Sequence, residues 1–237
     1  MHLSQLYKLF VQHPVISTDS RNCPSGSLFF ALKGTHFDAN AFAHQALENG
    51  AAYAIIDNPA WALNERYIVV DDTLTTLQDL AKHHRNNLKT PIIAITGTNG
   101  KTTSKELIAS VLSQKFKIHY TKGNFNNHIG VPLTLLQLEV EHQMAVIEMG
   151  ANHVGEIKML SDIACPDYGI VTNVGLAHLE GFGSFEGVRR AKSELYQNIS
   201  THAKKIFINI GNAYLNEMAT WSGFEDDSRK VKYAVND

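Results

Sequence analysis

The sequence predicts an α/β protein of two domains, the second a doubly wound parallel sheet with a phosphate-binding loop at a strand end. Three observations carry that expectation. Apolar bursts alternate with amphipathic helical stretches along all 237 residues, a pattern that builds parallel sheets covered by helices. A polar stretch ending at Pro91 divides two such alternations. Directly after it, a buried-strand run, a glycine loop and a helical pattern follow one another without interruption.

The elements follow in order. Leu3, Leu6, Leu9 and Phe10 recur at helical spacing, and Pro14 stops that first helix. Strands are expected at 27–32 (SLFFAL), 52–56 (AYAII) and 67–70 (YIVV), with a helix over 40–49 that ends at Gly50. A helix over 73–88 turns Leu74, Leu77, Leu80 and Ala81 to one face. The domain boundary falls at 88–90, giving domains 1–88 and 89–237. In the second domain IIAIT (92–96) reads as a buried strand, GTNGKTT as a turn, and SKELIASVLSQKF as a helix. AVIEMG (145–150), YGIVTNVG (168–175) and KIFINI (205–210) are further strands, with helices over 153–163 and 185–199. The last dozen residues suggest no closing element, so the sheet is expected to be cut short there. Ligands of such a sheet gather at the carboxyl ends of its strands.

Composition narrows the function. Hydrophobic residues at 44% and charged residues at 19% suit a globular chain with a sizeable core. A formal charge of −2 with no long run of one sign argues against a nucleic-acid partner. Cys23 and Cys165 stand far apart with no metal-ligand spacing, as expected of a reduced cytoplasm. No apolar run approaches the roughly 20 residues that cross a bilayer, so a cytoplasmic protein without membrane insertion is expected.

Gly97-Thr98-Asn99-Gly100-Lys101-Thr102-Thr103 lies between strand and helix, where backbone N–H groups and a helix N-terminus can wrap a polyphosphate. Lys101 is spaced to reach β- and γ-phosphates, and the Thr102 hydroxyl to hold their magnesium ion. The loop is shorter than the usual GxxxxGK[ST] form, since Ile95 stands where that pattern has its first glycine.

Read as TGTNGKTT, this loop resembles the ATP signature of the Mur ligase superfamily, which also includes folylpolyglutamate synthases. GNFNNHIGVPLTLL (123–136), IEMGAN (147–152), TNVGLAHLEGFGS (172–184) and AKSELY (191–196) follow in the order of the branch that adds D-alanyl-D-alanine to UDP-N-acetylmuramoyl-tripeptide. Upstream, STDSR (17–21) and LFFALKGTHFDAN (28–40) are similar to that branch's UDP-binding domain. The resemblance covers about residues 15–215.

It implies an ATP-dependent ligase in which a substrate carboxylate is phosphorylated to an acyl phosphate and then captured by an amine. Anionic nucleophile and anionic triphosphate must be brought together, so catalysis rests on positioning and cationic screening. Glu148 closes an apolar strand, where a carboxylate is costly without a compensating cation, and it is a hard oxygen ligand suited to magnesium. The resemblance gives His178 the second magnesium, and makes Lys192 a lysine carbamylated by carbon dioxide into an anionic metal ligand; an unmodified lysine that holds phosphate and a surface helix lysine are the other readings. Asn126, Asn127 and Thr134 are implied to face the sugar nucleotide and peptide, and Asn173 to orient nucleotide or metal ligands. Asp19, Ser20, Arg21 and Lys33 are implied at the uridine diphosphate end. The expected cofactors are ATP and Mg2+, the expected assembly a monomer. The sequence departs from the pattern at INIGNAYL (208–215), where these ligases more usually carry Asn-Ala-Asp, and the family's third domain has no counterpart, which suggests a fragment of a longer ligase. Alternatives are a diamino-acid-adding Mur ligase, a folylpolyglutamate synthase, or a non-catalytic nucleotide-binding module.

Overall fold

The computed structural model describes residues 2–176, 179–202, 204–225 and 227–234. The chain divides into two compact units, Met1–Asn87 with Leu135–Gln137, and Leu88–Thr134 with Leu138–Asp237.

In the first unit, α1 (Leu3–Gln12) precedes β1 (Ile16–Ser17), β2 (Leu28–Phe30), the β3–β4 hairpin (Lys33–Gly34 and Phe37–Asp38), α2 (Ala43–Glu48), β5 (Tyr53–Ile56), β6 (Tyr67–Val69) and α3 (Thr73–Asn87). The main sheet is parallel, in the order β1-β2-β5-β6, with Phe29 opposite Ala54 and Ile55 opposite Ile68. Phe29, Ala43, Ala46, Ala54 and Ile56 form a core between α2 and the sheet. β1 and the β3–β4 hairpin were not expected from sequence. Strands of two residues are too short to display an alternation.

The second unit runs β7 (Ile92–Thr96), α4 (Lys101–Leu112), β8 (Ile118–Tyr120), α5 (Gly130–Leu135), β9 (Met144–Glu148), α6 (Glu156–Ala164), β10 (Tyr168–Val171), α7 (Leu179–Phe182), α8 (Phe185–Thr201), β11 (Lys205–Asn209), α9 (Ala213–Trp221) and β12 (Lys230–Tyr233). Its six strands are parallel in the order β12-β11-β10-β7-β9-β8. β7 is buried along its whole length because both faces are covered. Ile108 and Leu112 of α4 pack on Ile93, Ile95, Val146 and Ile170. The next residue along β10 from Tyr168, Gly169, turns instead toward Leu195 and Ile199 of α8, so helices lie on both sides. The expected doubly wound α/β class is the observed one.

One expectation is corrected. The chain's last stretch, expected to give no element, forms a further strand, since β12 pairs with β11 through Ile206 and Lys230. A Lys-Val-Lys-Tyr edge strand has a single neighbour and half its side chains charged, so it lacks the apolar run by which the inner strands were recognised. From β7 the chain crosses to β8 at one edge, returns through β9, then passes to β10 on the far side of β7. This reversal puts the carboxyl ends of β9, β7 and β10 side by side, where ligands of such sheets bind. Among the described residues, no helix is long and apolar enough to cross a membrane.

Cys165, which caps α6 at its carboxyl end, is a non-glycine residue in left-handed backbone, φ 44° and ψ 62°. Relief of that strain by Cys165→Gly is expected to stabilise by about 1 kcal/mol and raise the melting temperature by roughly 2–4 °C. An unchanged or lower melting temperature would show that the thiol contributes more than the strain costs.

Candidate active site

The loop between β7 and α4 is held open by its neighbours rather than by its own side chains. At Gly97 φ is +144°, and a Cβ would fall 2.0 Å from the Thr172 hydroxyl, so only glycine fits against β10. The Thr98 N–H donates to the Asn173 carbonyl at 3.0 Å, and the Asn173 side chain exchanges two hydrogen bonds with the backbone of Asn99, at 3.0 and 3.1 Å. The Thr172 hydroxyl also donates to the Asn99 carbonyl, at 2.7 Å. Asn173 therefore fixes the loop's shape. Gly100, at φ +75°, enters α4 without a side-chain cap. The first N–H groups of α4 have no side chain laid over them, an anion-binding arrangement.

Lys101 donates to the Gly97 and Thr98 carbonyls at 2.8 and 3.0 Å, folding back over its own loop. Burial pulls its pKa down, while the charge of Glu148 works in the opposite direction. The Thr102 hydroxyl donates to Glu148 Oε1 at 3.2 Å, and Asn126 Nδ2 to the same oxygen at 2.8 Å. Glu148 is 1% exposed, and its other oxygen, Oε2, has no hydrogen-bond partner. The Lys105 ammonium stands 3.8 Å from that oxygen and 3.0 Å from Glu106. A buried carboxylate with one oxygen unserved and a threonine hydroxyl beside it offers two hard oxygen donors, which fit a magnesium ion that keeps several of its waters. Lys105, fully buried, was not foreseen. Its spacing four residues after Lys101 could have suggested it, since i and i+4 share a helix face.

Lys101 and Asn126 border a cavity of about 380 Å³ that Gly97, Thr98, Asn127 and Lys192 also line. Lys192, on α8, is 3% exposed. Burial first and the Lys101 charge second pull its pKa down to about 8, bringing the neutral amine into reach near neutral pH. Asn127 also caps α5, its side-chain oxygen accepting the Gly130 N–H at 2.8 Å. Asn99, Gly100, Thr102, Thr103, Thr134, Glu148 and Asn173 are not among the cavity's lining residues. Thr134 is buried within α5 and donates to the Gly130 carbonyl. His178 lies outside the described residues.

In the first unit, Asp19, Ser20 and Arg21 border a separate cavity of about 610 Å³ together with Phe29, Phe37 and Phe42. Arg21 grips Asp19 with Nε and Nη2, both at 2.9 Å. The guanidinium, with the Arg21 backbone N–H, brings the Asp19 carboxyl down to about 2. Phe37 and Phe42 stack at 5.4 Å with 14° between planes and are half exposed, a flat apolar platform that the sequence reading had not picked out as a site. Lys33 does not border this cavity; its ammonium pairs with Asp57 at 2.7 Å.

A parallel sheet with a glycine loop at its reversal, a lysine over that loop and a metal-suited carboxylate on the adjacent strand is an arrangement suited to phosphate in an α/β domain. The sequence matches the model of the Mur ligase middle domain over residues 95–237 and that of the Mur ligase family, catalytic domain, over residues 14–85. The chain belongs to the Mur ligase family. It is 42% identical over 221 residues to the UDP-N-acetylmuramoyl-tripeptide--D-alanyl-D-alanine ligase of Bacillus subtilis, covering 91% of this chain and 48% of that protein. It is similar to the crystal structure of MurF from Acinetobacter baumannii, with a TM-score of 0.83, 35% identity, and coverage of 98% of this chain and 52% of that one. A MurF ligase from Thermotoga maritima in complex with ADP gives a TM-score of 0.82 at 29% identity, covering 95% and 50%. The chain spans about half the length of the curated relatives it matches.

Proposed function

We propose that this chain forms the sugar-nucleotide-binding and ATP-binding parts, residues 1–88 and 89–237, of a ligase that joins D-alanyl-D-alanine to UDP-N-acetylmuramoyl-tripeptide. The observation that carries the reading is the buried Glu148 carboxylate joined to Thr102 of the glycine loop at 3.2 Å. That pairing sets a metal-suited anion beside the residues that meet a nucleotide's terminal phosphates. The family membership and the names of the relatives at 42% identity favour the dipeptide over a diamino acid as the group added. The whole ligase is read as a cytoplasmic monomer using ATP and Mg2+.

In this reading the free N–H groups at the start of α4 receive the β- and γ-phosphates. Lys101 leaves the Gly97 and Thr98 carbonyls and donates to the phosphate oxygens instead. Thr102 and Glu148 would hold magnesium, which when bound screens the phosphate charge. Asn126 keeps Glu148 Oε1 oriented throughout. The terminal carboxylate oxygen of the tripeptide attacks the γ-phosphorus as the bond to the β-phosphate oxygen breaks, giving acyl phosphate and ADP. The dipeptide amine then attacks the acyl carbon, inorganic phosphate leaves, and the amine's proton passes to solvent. Asn126 and Asn127, amide side chains bordering the cavity, are read as partners of the sugar and peptide, and the Asp19–Arg21 pair with the Phe37–Phe42 platform as the uridine end. His178 is read as a further magnesium ligand on the family pattern alone.

Lys192 is read as the site of carbamate formation: its neutral amine adds to carbon dioxide and releases a proton, leaving an anion at the cavity wall. At fixed dissolved carbon dioxide, occupancy is expected to rise as pH passes upward through about 8, following the amine's depressed pKa. At the same pH an exposed lysine, with its ordinary value of about 10.4, presents a neutral fraction on the order of a hundredfold smaller and forms correspondingly less carbamate. A 13C carbamate signal from 13C-labelled carbon dioxide, lost in Lys192→Met, measures this. A signal at pH 8 no stronger than that of an exposed lysine would reject it.

In the full-length protein, phosphate release is expected to need UDP-N-acetylmuramoyl-tripeptide, D-alanyl-D-alanine and ATP together. Lys101→Ala should cut the rate on the order of 10²–10³-fold, as for loss of one transition-state contact. Turnover with the shorter nucleotide precursor and a diamino acid would reject the dipeptide reading. An unchanged rate in the alanine variant would reject the role of the loop.

A further inference from the structure

Helix α6 starts at Gly155 and Glu156 with no cap of its own. Its N-cap residue is a glycine at φ +95°, which has no side chain to accept the first N–H groups. The acceptor comes from α8 instead. Glu194 Oε1 takes the Gly155 N–H at 2.6 Å, and Oε2 takes the Lys158 N–H at 2.9 Å. Glu194 is 8% exposed, and a carboxylate facing a helix N-terminus is favoured by the helix dipole.

The two ends of this link both reach the cavity. Two residues before Glu194 on α8 is Lys192, and one residue after Gly155 is Glu156; Lys192 and Glu156 both line the space beside the glycine loop. Glu156 in turn accepts the N–H groups of Asn152, at 2.7 Å, and His153, at 3.2 Å, and so shapes the wall that Asn152 also lines. Apolar burial is already ample in both helices, through Ile157, Leu160 and Ile163 on α6 and through Ala191, Leu195 and Ile199 on α8. The hydrophobic effect is non-directional, and side-chain interdigitation restricts how two helices meet less sharply than a hydrogen bond between fixed atoms does. Directional hydrogen bonds set where these two meet: two accepted by the Glu194 carboxylate at the start of α6 and, further along, one from the Asn198 amide of α8 to Asp162 of α6 at 2.8 Å.

We propose that Glu194 is a positioning residue: it clamps the first turn of α6 to α8, and so sets the Lys192 amine at a fixed height against the Asn152–Glu156 wall. The inference rests on the reading of Lys192 as a reactive amine of the ligase, and it adds a residue with no contact to the cavity of its own. Glu194→Gln preserves shape but leaves one acceptor where two are needed, and turns an amide donor toward an N–H group. Glu194→Asp keeps the charge but is shorter by one methylene and reaches one N–H group at best.

The test compares wild-type chain, Glu194→Gln and Glu194→Asp well below their melting temperatures. The expected result is amide exchange on the order of tenfold faster over residues 152–158, with the exchange of α4 unchanged. Acetylation of Lys192, read by mass spectrometry against Lys101, should rise severalfold, and the 13C carbamate signal should fall by a similar factor. The aspartate variant should give the same changes at smaller amplitude, and it carries the test if the glutamine variant does not fold. Unchanged exchange over 152–158 would overturn the clamp. Faster exchange with unaltered Lys192 acetylation would also overturn it, reducing Glu194 to a helix cap. If the wild-type chain forms no carbamate, the carbamate reading of Lys192 fails by itself, and acetylation still decides the clamp.

Discussion

A negative charge buried at a strand end is the constraint around which the second unit is arranged. Glu148 closes β9 with almost no exposure, and a carboxylate in that position costs several kcal/mol unless it is hydrogen-bonded and electrically compensated. The protein supplies part of the remedy. Thr102 and Asn126 serve one oxygen, and the buried Lys105 ammonium stands near the other. The remaining demand is Oε2, a buried oxygen without a hydrogen-bond donor. On the proposed reading, an anion held for a cation beside a loop that takes polyanions couples the two ligands: each improves the site for the other.

The same logic explains why lysines crowd this end of the sheet. Lys101, Lys105 and Lys192 come from α4 and α8, and at Lys192 burial and the neighbouring Lys101 charge act together to destabilise the ammonium. A surface lysine pays neither cost. Depression of the amine's pKa is thus a product of the helix packing that forms the cavity, and not of any special property of the residue. Asn173 and Thr172 contribute in a quieter way, since they lock the loop's backbone from the end of the neighbouring strand.

Much of this was legible in the sequence because it depended on local patterns. β7, β9, β10 and β11 announce themselves as apolar runs, and Gly97 through Thr102 follow a spacing that strand, turn and helix require. Glu148 was recognisable as a charge out of place on a buried strand. Less legible was whatever depended on who stands opposite whom. Lys105 reads as an ordinary helix lysine until α4 is laid over β9. Thr134 and Asn173 were matched to ligand roles, and the structure adds backbone hydrogen bonds made by the same side chains, which letters do not carry. Lys33 met its partner in Asp57, 24 positions away and next to a different strand. Two-residue strands and the charged edge strand β12 lacked the length or apolar content that periodicity needs.

The most direct measurement is manganese binding to the wild-type chain and to Glu148→Gln, followed by electron paramagnetic resonance with and without ADP. With ADP present, the wild-type chain should bind the ion at least tenfold more tightly than the variant, with phosphorus coupling to the nucleotide, because the Glu148 carboxylate and the loop share one site. Equal manganese affinity in the two proteins, with the same nucleotide coupling, would contradict it: the buried charge would then be serving the fold alone.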